Sequence, residues 1–135
     1  MALSLFTSFG YFEKDSENNK IIKSISSSLK KNGWFVLDFM NVEKETAKLC
    51  PEEKTEINEI GFKITRSTKN NCIVKDIFIT DHGKQYSFRE NVKAYKQKDL
   101  EKFFVQNNLD IVHLFGDYEL HPFNENKSDR FILIG

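Results

Sequence analysis

WFVLDFM, residues 34–40, is the stretch of this sequence that decides the fold. Because it is apolar on both faces and has the length of a strand, it suits the middle of a parallel sheet covered by helices. Residues 2–6 form a second apolar stretch with the character of a strand. Between the two, the apolar residues of segment 17–31 fall on one helical face: Ile21, Ile22, Ile25 and Leu29. We therefore predict a right-handed strand–helix–strand unit over residues 2–40.

The ends of this helix are marked by residues that favour caps. Asp15 or Ser16 can accept hydrogen bonds from the first helical turn. Gly33 stands where a residue of left-handed conformation ends many helices. Beyond the second strand, the sequence predicts a weak helix near 42–48.

Three later runs alternate apolar and polar residues, which is typical of antiparallel strands with one face in water. They are residues 60–68, 72–80 and 86–95, with turns at Asn70-Asn71 and at 81–84. The residues expected to share a face are Ile60, Phe62, Ile64 and Arg66 in the first run, Ile73, Ile77 and Ile79 in the second, and Tyr86, Phe88, Val92 and Ala94 in the third. A helix over 97–107 and buried strands at 110–116 and 130–134 complete the prediction.

Length, charge and cysteine content exclude several classes of protein. At 135 residues the chain is expected to form one domain. Its 20 basic and 20 acidic residues balance, which argues against a dedicated nucleic-acid or anionic-membrane binder. Cys50 and Cys72 are isolated, as in proteins of a reducing compartment, and the dispersed His and Cys residues lack metal-ligand spacing. Because the sequence has neither a signal peptide nor a membrane span, we expect a cytoplasmic protein. Because metal-ligand spacing is missing, we expect no metal site.

Three segments resemble class I S-adenosylmethionine-dependent methyltransferases of the bacterial small-molecule branch. LSLFTSFGYF, residues 3–12, is similar to the end of that family's fourth strand. LKKNGWFVLDFMN, residues 29–41, is similar to its junction between a helix and the fifth strand. VHLFGDYELHPFNENKSDRFILI, residues 112–134, is similar to its closing hairpin. The order of predicted elements matches the second half of the family over the whole chain.

The resemblance implies an α/β fold with a partial Rossmann-like sheet of four mixed strands, the last of them antiparallel. The implied strand order is 2–6, 34–40, 130–134, 110–116. Residues 1–41 and 96–135 form the partial core of the single domain 1–135, and residues 42–95 form an inserted antiparallel meander on the substrate side. A strand 130–134 at the edge of the sheet would contradict this order.

The family's Gly-rich cofactor loop is missing from this sequence. None of the glycines, at positions 10, 33, 61, 83, 116 and 135, forms a Gly-x-Gly pair. The resemblance therefore implies a truncated methyltransferase that begins at the fourth strand, through a late start codon, a shortened gene product or an artificial boundary. Such a C-terminal portion, acting on an unknown small molecule, is expected to be inactive alone. The alternatives are a non-catalytic, self-associating remnant and a subunit that completes a separate cofactor-binding chain.

Ligands of parallel α/β sheets bind outside the carboxyl ends of the strands. Two such ends lie at residues 6–11 and 38–41, where Thr7, Ser8 and Asn41 can form hydrogen bonds with a ligand. The family resemblance implies that the residues lying beside the transferred methyl group of S-adenosylmethionine are Phe6, Thr7, Ser8 and Phe9. The alternative is structural, with Phe9 and Phe12 in the core and Ser8 capping a turn. The expected affinity of the isolated chain for the cofactor is weak or nil.

The candidate substrate-binding residues are Tyr11, Asn41, Arg66, Arg89, Tyr118 and His121. Arg66 lies on the otherwise apolar face of its strand, and a half-buried guanidinium needs an anionic partner. Either arginine can clamp an anionic substrate or pair internally with Glu90, Asp76 or Glu119, and pairing is favoured for Arg89. Tyr118 and His121 lie in a connection that can act as a lid, whereas His113 is expected in the core. No catalytic residue is assigned, because methyl transfer depends mainly on positioning.

Strand 2–6 is expected to have one free edge, since its neighbour in the family fold is missing. An apolar, uncharged edge favours pairing with another chain. We therefore expect a homodimer or higher oligomer formed through this edge, and neither nucleic acid nor a membrane as a partner.

Overall fold

Two sheets and three helices make up residues 1–47 and 49–135, the part of the chain described by the computed structural model. Sheet A contains β1 (Ala2–Ser4), β2 (Phe35–Met40), β7 (His113–Phe115) and β8 (Arg130–Ile134). Sheet B contains β3 (Glu52–Ile57), β4 (Ile60–Lys69), β5 (Cys72–Asp81) and β6 (Lys84–Lys93). The helices are α1 (Asp15–Ser28), α2 (Val42–Ala47) and α3 (Gln97–Gln106).

The strand order of sheet A is β1-β2-β8-β7, which confirms the predicted order. β2 runs parallel to β1, and β8 runs antiparallel to both of its neighbours, β2 and β7. β8 therefore lies inside the sheet rather than at its edge. This arrangement brings the carboxyl ends of β1 and β2 side by side, next to the start of β8.

One face of sheet A and the helices α1 and α3 enclose the hydrophobic core. Leu37 and Phe39 of β2 lie opposite Leu133 and Phe131 of β8 in the register. Phe35 stacks on Phe104 of α3, with ring centroids 5.2 Å apart. The core side chains that are less than 2 % exposed include Phe9, Ile22, Phe35, Leu37, Phe39, Leu100, Phe104 and Leu133. Burial of each such side chain stabilises the fold by about 1.5–3 kcal/mol.

Element ends differ from prediction where single residues adopt left-handed backbone. β1 ends at Ser4 rather than at residue 6, because Phe6 has a φ of 54°. The prediction that Gly33 adopts the left-handed conformation is wrong, since the neighbouring Asn32 adopts it, with a φ of 61°. Asparagine tolerates the region because its short polar side chain can bond locally. The helix predicted near 42–48 is α2, and residue 48 lies outside the described residues.

Sheet B is an antiparallel meander, as predicted, with one additional strand. The predicted runs 60–68, 72–80 and 86–95 correspond to β4, β5 and β6. β3 has the sequence EEKTEI, which is exposed along its length and shows no apolar alternation, so the sequence pattern missed it. Tight turns join the strands, each with two consecutive residues of positive φ: Asn58-Glu59, Asn70-Asn71 and His82-Gly83.

Candidate functional site

A buried carboxylate at the end of β2 organises the candidate site. Asp38 is 1 % exposed, and its Oδ1 accepts a hydrogen bond from Nε of Arg130 at 2.7 Å and forms an ion pair with Nη2 of the same guanidinium, also at 2.7 Å. Its Oδ2 accepts the backbone N–H of Phe6 at 2.8 Å and the hydroxyl of Tyr118 at 3.0 Å. The Nη2 of Arg130 also donates to the hydroxyl of Thr7 at 3.1 Å. Asp38 therefore joins the end of β1, the start of β8 and the connection between β7 and β8.

The turn after β1 carries backbone strain at two neighbouring positions. Phe6 and Thr7 have φ values of 54° and 57°. A β-branched residue at positive φ is unusual, and such strain concentrates at functional sites. Asp38 holds this turn twice, because its carboxylate accepts the N–H of Phe6 and its carbonyl accepts the N–H of Thr7 at 3.1 Å.

Two exposed aromatic rings lie above this turn. Phe6 is 76 % exposed and Tyr118 is 60 % exposed, and their ring centroids are 6.4 Å apart in an edge-to-face arrangement. Burial, followed by the hydrogen bond to Asp38, raises the pKa of the Tyr118 phenol above its usual value. The pair offers aromatic faces on which a cationic or planar ligand can pack.

A groove lies between residues 10–13, which follow this turn in the sequence, and the polar face of sheet B. Gly10 has a φ of 89°, and its carbonyl accepts the N–H of Lys93 at 2.8 Å, so the loop is fastened to β6. The groove has a volume of about 610 Å³. Its lining includes Tyr11, Phe12, Lys69, Asp76, Arg89 and Lys93. Burial, followed by the negative charge of Glu90, raises the pKa of the Tyr11 phenol.

Three solved structures share this arrangement of elements. An S-adenosylmethionine-dependent methyltransferase from Clostridium acetobutylicum matches 98 % of this chain with a TM-score of 0.83 and 18 % sequence identity. The CcbJ methyltransferase from Streptomyces caelestis also matches 98 % of the chain, with a TM-score of 0.80 and 13 % identity. An amino pentose methyltransferase from Micromonospora echinaspora, solved with bound S-adenosylmethionine, matches 98 % with a TM-score of 0.66 and 10 % identity.

This chain has the fold of S-adenosylmethionine-dependent methyltransferases. It spans about half the length of the solved structures that it matches, which are covered over 55 %, 54 % and 56 % of their own chains. No protein-family model and no curated protein matches the sequence. The predicted partial, Rossmann-like methyltransferase fold with an inserted meander is thus confirmed as a fold.

The predicted cofactor-side residues of this methyltransferase fold have different environments. Phe6 is exposed at the strained turn, whereas Thr7 is 7 % exposed and uses its hydroxyl to accept a bond from Arg130. Ser8 is exposed, with its hydroxyl 3.1 Å from that of Ser4. Phe9 is 1 % exposed and packs in the core, which is the structural alternative given above, so we assign its side chain no ligand contact. Phe12 lies outside the core, at 50 % exposure.

Two predicted substrate residues serve the connection between β7 and β8. Asn41 is 4 % exposed, and its amide nitrogen donates to the carbonyls of Glu125 at 2.7 Å and Ser128 at 2.8 Å. Its amide nitrogen therefore anchors the connection. His121 is exposed and lies 2.9 Å from the carboxylate of Asp117, whose pKa is lowered chiefly by the backbone N–H of His121.

The two predicted arginine clamps lie on opposite faces of sheet B. Arg89 lines the groove and pairs with Asp76 at 2.6 and 3.0 Å, as the alternative interpretation expected. This pairing lowers the pKa of Asp76 and raises that of Arg89. Arg66 lies on the other face and forms an ion pair with Glu53 at 3.0 Å. It therefore does not share a site with Tyr11 and Arg89.

Sequence reasoning missed the two residues that organise the site. The sequence pattern predicts Asp38 only as part of an apolar strand and its end, and it gives Arg130 no role in a site. The available signal was a single acidic residue inside an otherwise apolar run, because a buried charge requires a partner. The expectation for His113 was wrong, since β7 is a three-residue edge strand and His113 is exposed on it.

The described residues contain no group of three His, Cys, Asp or Glu side chains placed to hold a metal ion. None of the helices described is long and apolar enough to cross a membrane. Cys50 and Cys72 are free thiols.

Proposed function

We propose that this chain is the C-terminal portion of an S-adenosylmethionine-dependent methyltransferase that acts on a small molecule, and that the isolated chain is inactive. The observation that carries the proposal is the strained turn at the carboxyl ends of β1 and β2, which Asp38 holds in place. This turn lies in a fold that matches 55 % of the length of a solved methyltransferase. Ligands of parallel α/β sheets bind at this edge. We further propose a cytoplasmic protein, which the two free thiols support.

Phe6, Thr7 and Ser8 would form one wall of the cofactor site. S-adenosylmethionine supplies an activated methyl group bound to a positively charged sulfur. The exposed ring of Phe6 fits such a cation, since attraction between a cation and an aromatic face contributes about 0.5–2 kcal/mol. Thr7 has its hydroxyl engaged by Arg130, so its role is to hold the turn, and Ser8 keeps an exposed hydroxyl for the ligand.

The groove beside the turn would hold the methyl acceptor. Its volume of about 610 Å³ falls in the range typical of small-molecule sites. Tyr11 offers a half-exposed ring, and Arg89 and Asp76 offer a polar rim. Methyl transfer is an in-line displacement that needs acceptor and methyl group to be aligned rather than a proton-transfer constellation. In this proposal, Tyr118 covers the turn, because its hydroxyl is tied to Asp38 and its ring contacts that of Phe6.

Calorimetric titration of the 135-residue chain with S-adenosylmethionine tests the proposed incompleteness. The Gly-rich loop and the acidic ribose ligand of the family are not encoded in this sequence. Loss of two charge-assisted hydrogen bonds to the ribose costs about 3–6 kcal/mol, which weakens micromolar binding to about millimolar or beyond. Micromolar affinity of the isolated chain would contradict the proposal. An upstream reading frame that encodes a Gly-rich loop, and whose product restores binding on mixing, would support it.

We also propose self-association through the free edge of β1. Among the described strands β1 pairs only with β2, and Leu3 beside this edge is 54 % exposed. An uncharged apolar edge pairs readily with a second strand. Light scattering on the wild type and on Leu5→Lys tests this: the substitution should weaken the assembly. An unchanged assembly would rule out this edge, and a complementing chain that binds there would favour the subunit alternative.

A further inference from the structure

The groove between residues 10–13 and sheet B has two lysines at one of its ends. The register of β4, β5 and β6 places Lys69, Cys72 and Lys93 in one row across the groove face, and all three line the groove. We use the term lysine row for these three residues. The next two rows along the strands are Ser67, Val74 and Asn91, and then Thr65, Asp76 and Arg89.

The two lysines of this row have no counter-ion within the described chain. The ion pairs of the described residues involve other lysines and leave Lys69 and Lys93 without a carboxylate partner. Lys93 is half-buried, because its neighbours Val92 and Ala94 are core residues and its N–H donates to the carbonyl of Gly10. A partly desolvated ammonium is stabilised by a nearby anion. This end of the groove therefore favours a negatively charged ligand.

The other charged residues of the groove do not cancel this preference. Arg89 and Asp76 neutralise each other through bonds of 2.6 and 3.0 Å. They lie four residues along the strands from the lysine row, at a distance of about 14 Å. Glu13 is exposed on the loop wall. The lining as a whole keeps an excess of positive charge, which is concentrated at the lysine row.

The loop that forms the opposite wall has a fixed backbone and exposed aromatic rings. Asn18 is fully buried, and its side-chain amide donates to the carbonyl of Phe12 at 2.9 Å and accepts the N–H of Phe12 at 3.4 Å. The rings of Tyr11 and Phe12 are nevertheless 51 % and 50 % exposed. Aromatic rings on a fixed backbone offer a surface on which the planar or apolar body of a ligand can pack.

We propose that the ligand of this groove is a small molecule with a planar or apolar body and one anionic group, a carboxylate or a phosphate. The anionic group binds between the ammonium groups of Lys69 and Lys93, above the small side chain of Cys72. The two lysine backbones stand about 10 Å apart, across two strand spacings. Their flexible four-carbon stems allow both ammonium groups to contact one anion. The body of the ligand packs against Tyr11 and Phe12.

This inference rests on the proposed function for a single point, which is that the anionic ligand is the methyl acceptor. The anion site itself can be tested without catalysis. The experiment is a nuclear magnetic resonance titration of the isotope-labelled 135-residue chain with three probes that share an aromatic ring. Benzoate carries a carboxylate, phenyl phosphate carries a phosphate, and benzyl alcohol is the uncharged control. Each probe is added up to about 20 mM at constant ionic strength.

We expect benzoate or phenyl phosphate to shift the amides of Tyr11, Lys69 and Lys93, with a dissociation constant of about 1–10 mM. The tighter of the two identifies the anionic group. Benzyl alcohol should bind at least about fivefold more weakly, because it makes no charge-assisted contact. If neither anion shifts these amides, or if benzyl alcohol binds as tightly as both anions, the proposal is overturned.

Substitutions of the lysines assign the binding to the lysine row. Lys93→Gln should weaken the tighter anion about tenfold, and Lys69→Gln about threefold, since Lys69 is exposed and its charge is better screened. Lys84→Gln is the matched control, because Lys84 lies on the same strand as Lys93, at its other end and on the opposite face. It should leave the affinity unchanged. Circular dichroism verifies folding, and Lys69→Gln decides the matter if Lys93→Gln does not fold.

Two results separate this inference from the proposed function. Lysine variants that bind the anions as tightly as the wild type overturn the anion site, and the proposed function stands if S-adenosylmethionine still shifts the amides of residues 6–8. If the anions bind at the lysine row while the cofactor shifts none of those amides, the anion site stands and its assignment to a methyl acceptor is wrong.

Discussion

Replacing Asp38 by Asn tests whether the buried ion pair organises the site. The substitution keeps the shape of the side chain and removes its negative charge. Arg130, whose side chain is 20 % exposed, then loses the carboxylate that accepts a hydrogen bond from its Nε and pairs with its Nη2, both at 2.7 Å. The N–H of Phe6 also loses a charged acceptor at 2.8 Å, so the strained turn is held less firmly.

The expected loss of stability is large for a single substitution. Breaking a buried ion pair by removing one partner costs about 3–5 kcal/mol. Because the guanidinium of Arg130 retains some contact with solvent, we expect the lower value, about 3 kcal/mol. A domain of this size has a total unfolding free energy of about 5–15 kcal/mol. Asp38→Asn should therefore remove a substantial part of the stability without preventing folding.

Urea denaturation followed by circular dichroism measures the effect. With a slope of about 2 kcal/mol per molar urea, the midpoint should fall by about 1.5 M. Asp76→Asn is the control, because it removes a bidentate Asp–Arg pair at 2.6 and 3.0 Å that is exposed, with side-chain exposures of 24 % and 69 %. An exposed pair of this kind contributes about 0–1 kcal/mol.

A double-mutant cycle with Arg130→Met assigns the loss to the pair itself. Replacing both partners of a buried pair is often nearly neutral. The double variant should therefore be at least as stable as Asp38→Asn alone. If Asp38→Asn costs no more than Asp76→Asn, the reasoning is refuted, because Arg130 would not depend on the carboxylate.

Three further outcomes follow from particular residues. Stability should fall as the pH rises above about 10, and it should fall less steeply in Tyr95→Phe. Burial and then the hydrogen bond to Asp15 raise the pKa of Tyr95, so the unfolded chain releases this proton more easily than the folded chain does. Urea titrations between pH 8 and about 11 measure the difference. Phe6→Gly should be more stable than Phe6→Ala by about 1 kcal/mol, since only glycine relieves the positive φ of 54°; a reversed order in thermal denaturation would contradict the strain. Asn41→Asp should lose about 3 kcal/mol in the same denaturation assay, because its amide nitrogen donates to two carbonyls that a carboxylate would repel, and a loss below 1 kcal/mol would argue against this anchoring role.

The sheet and its order could be predicted because strong local patterns coincide with the family order. The run 34–40 has no polar face that could lie in water, so it had to become an interior strand. β8 was predicted with its observed bounds, since Arg130 and Gly135 enclose an uninterrupted apolar run. The meander was predicted from period-two alternation, and the tight turns at Asn70-Asn71 and His82-Gly83 from the residue types that tolerate positive φ.

Predictions failed where tertiary contacts outweigh local pattern. β3 is a strand because β4 pairs with it along Glu52–Ile57, although four of its own six residues are charged. β1 is shortened because Asp38, distant in sequence, holds the N–H groups of Phe6 and Thr7. Asn41 was correctly placed at a strand end, yet its amide is used by the connection that folds over it. Sequence spacing locates such residues but does not show which partner occupies them.

The central claim is that Phe6–Ser8 forms one wall of a methyltransferase cofactor site, and a nuclear magnetic resonance titration tests it most directly. S-adenosylmethionine is added to the isotope-labelled 135-residue chain up to about 10 mM, and backbone amide shifts are followed. The account predicts shifts concentrated at Phe6, Thr7 and Ser8, without saturation below about 1 mM. Shifts that are concentrated at other amides, or that saturate at micromolar concentration, would contradict it.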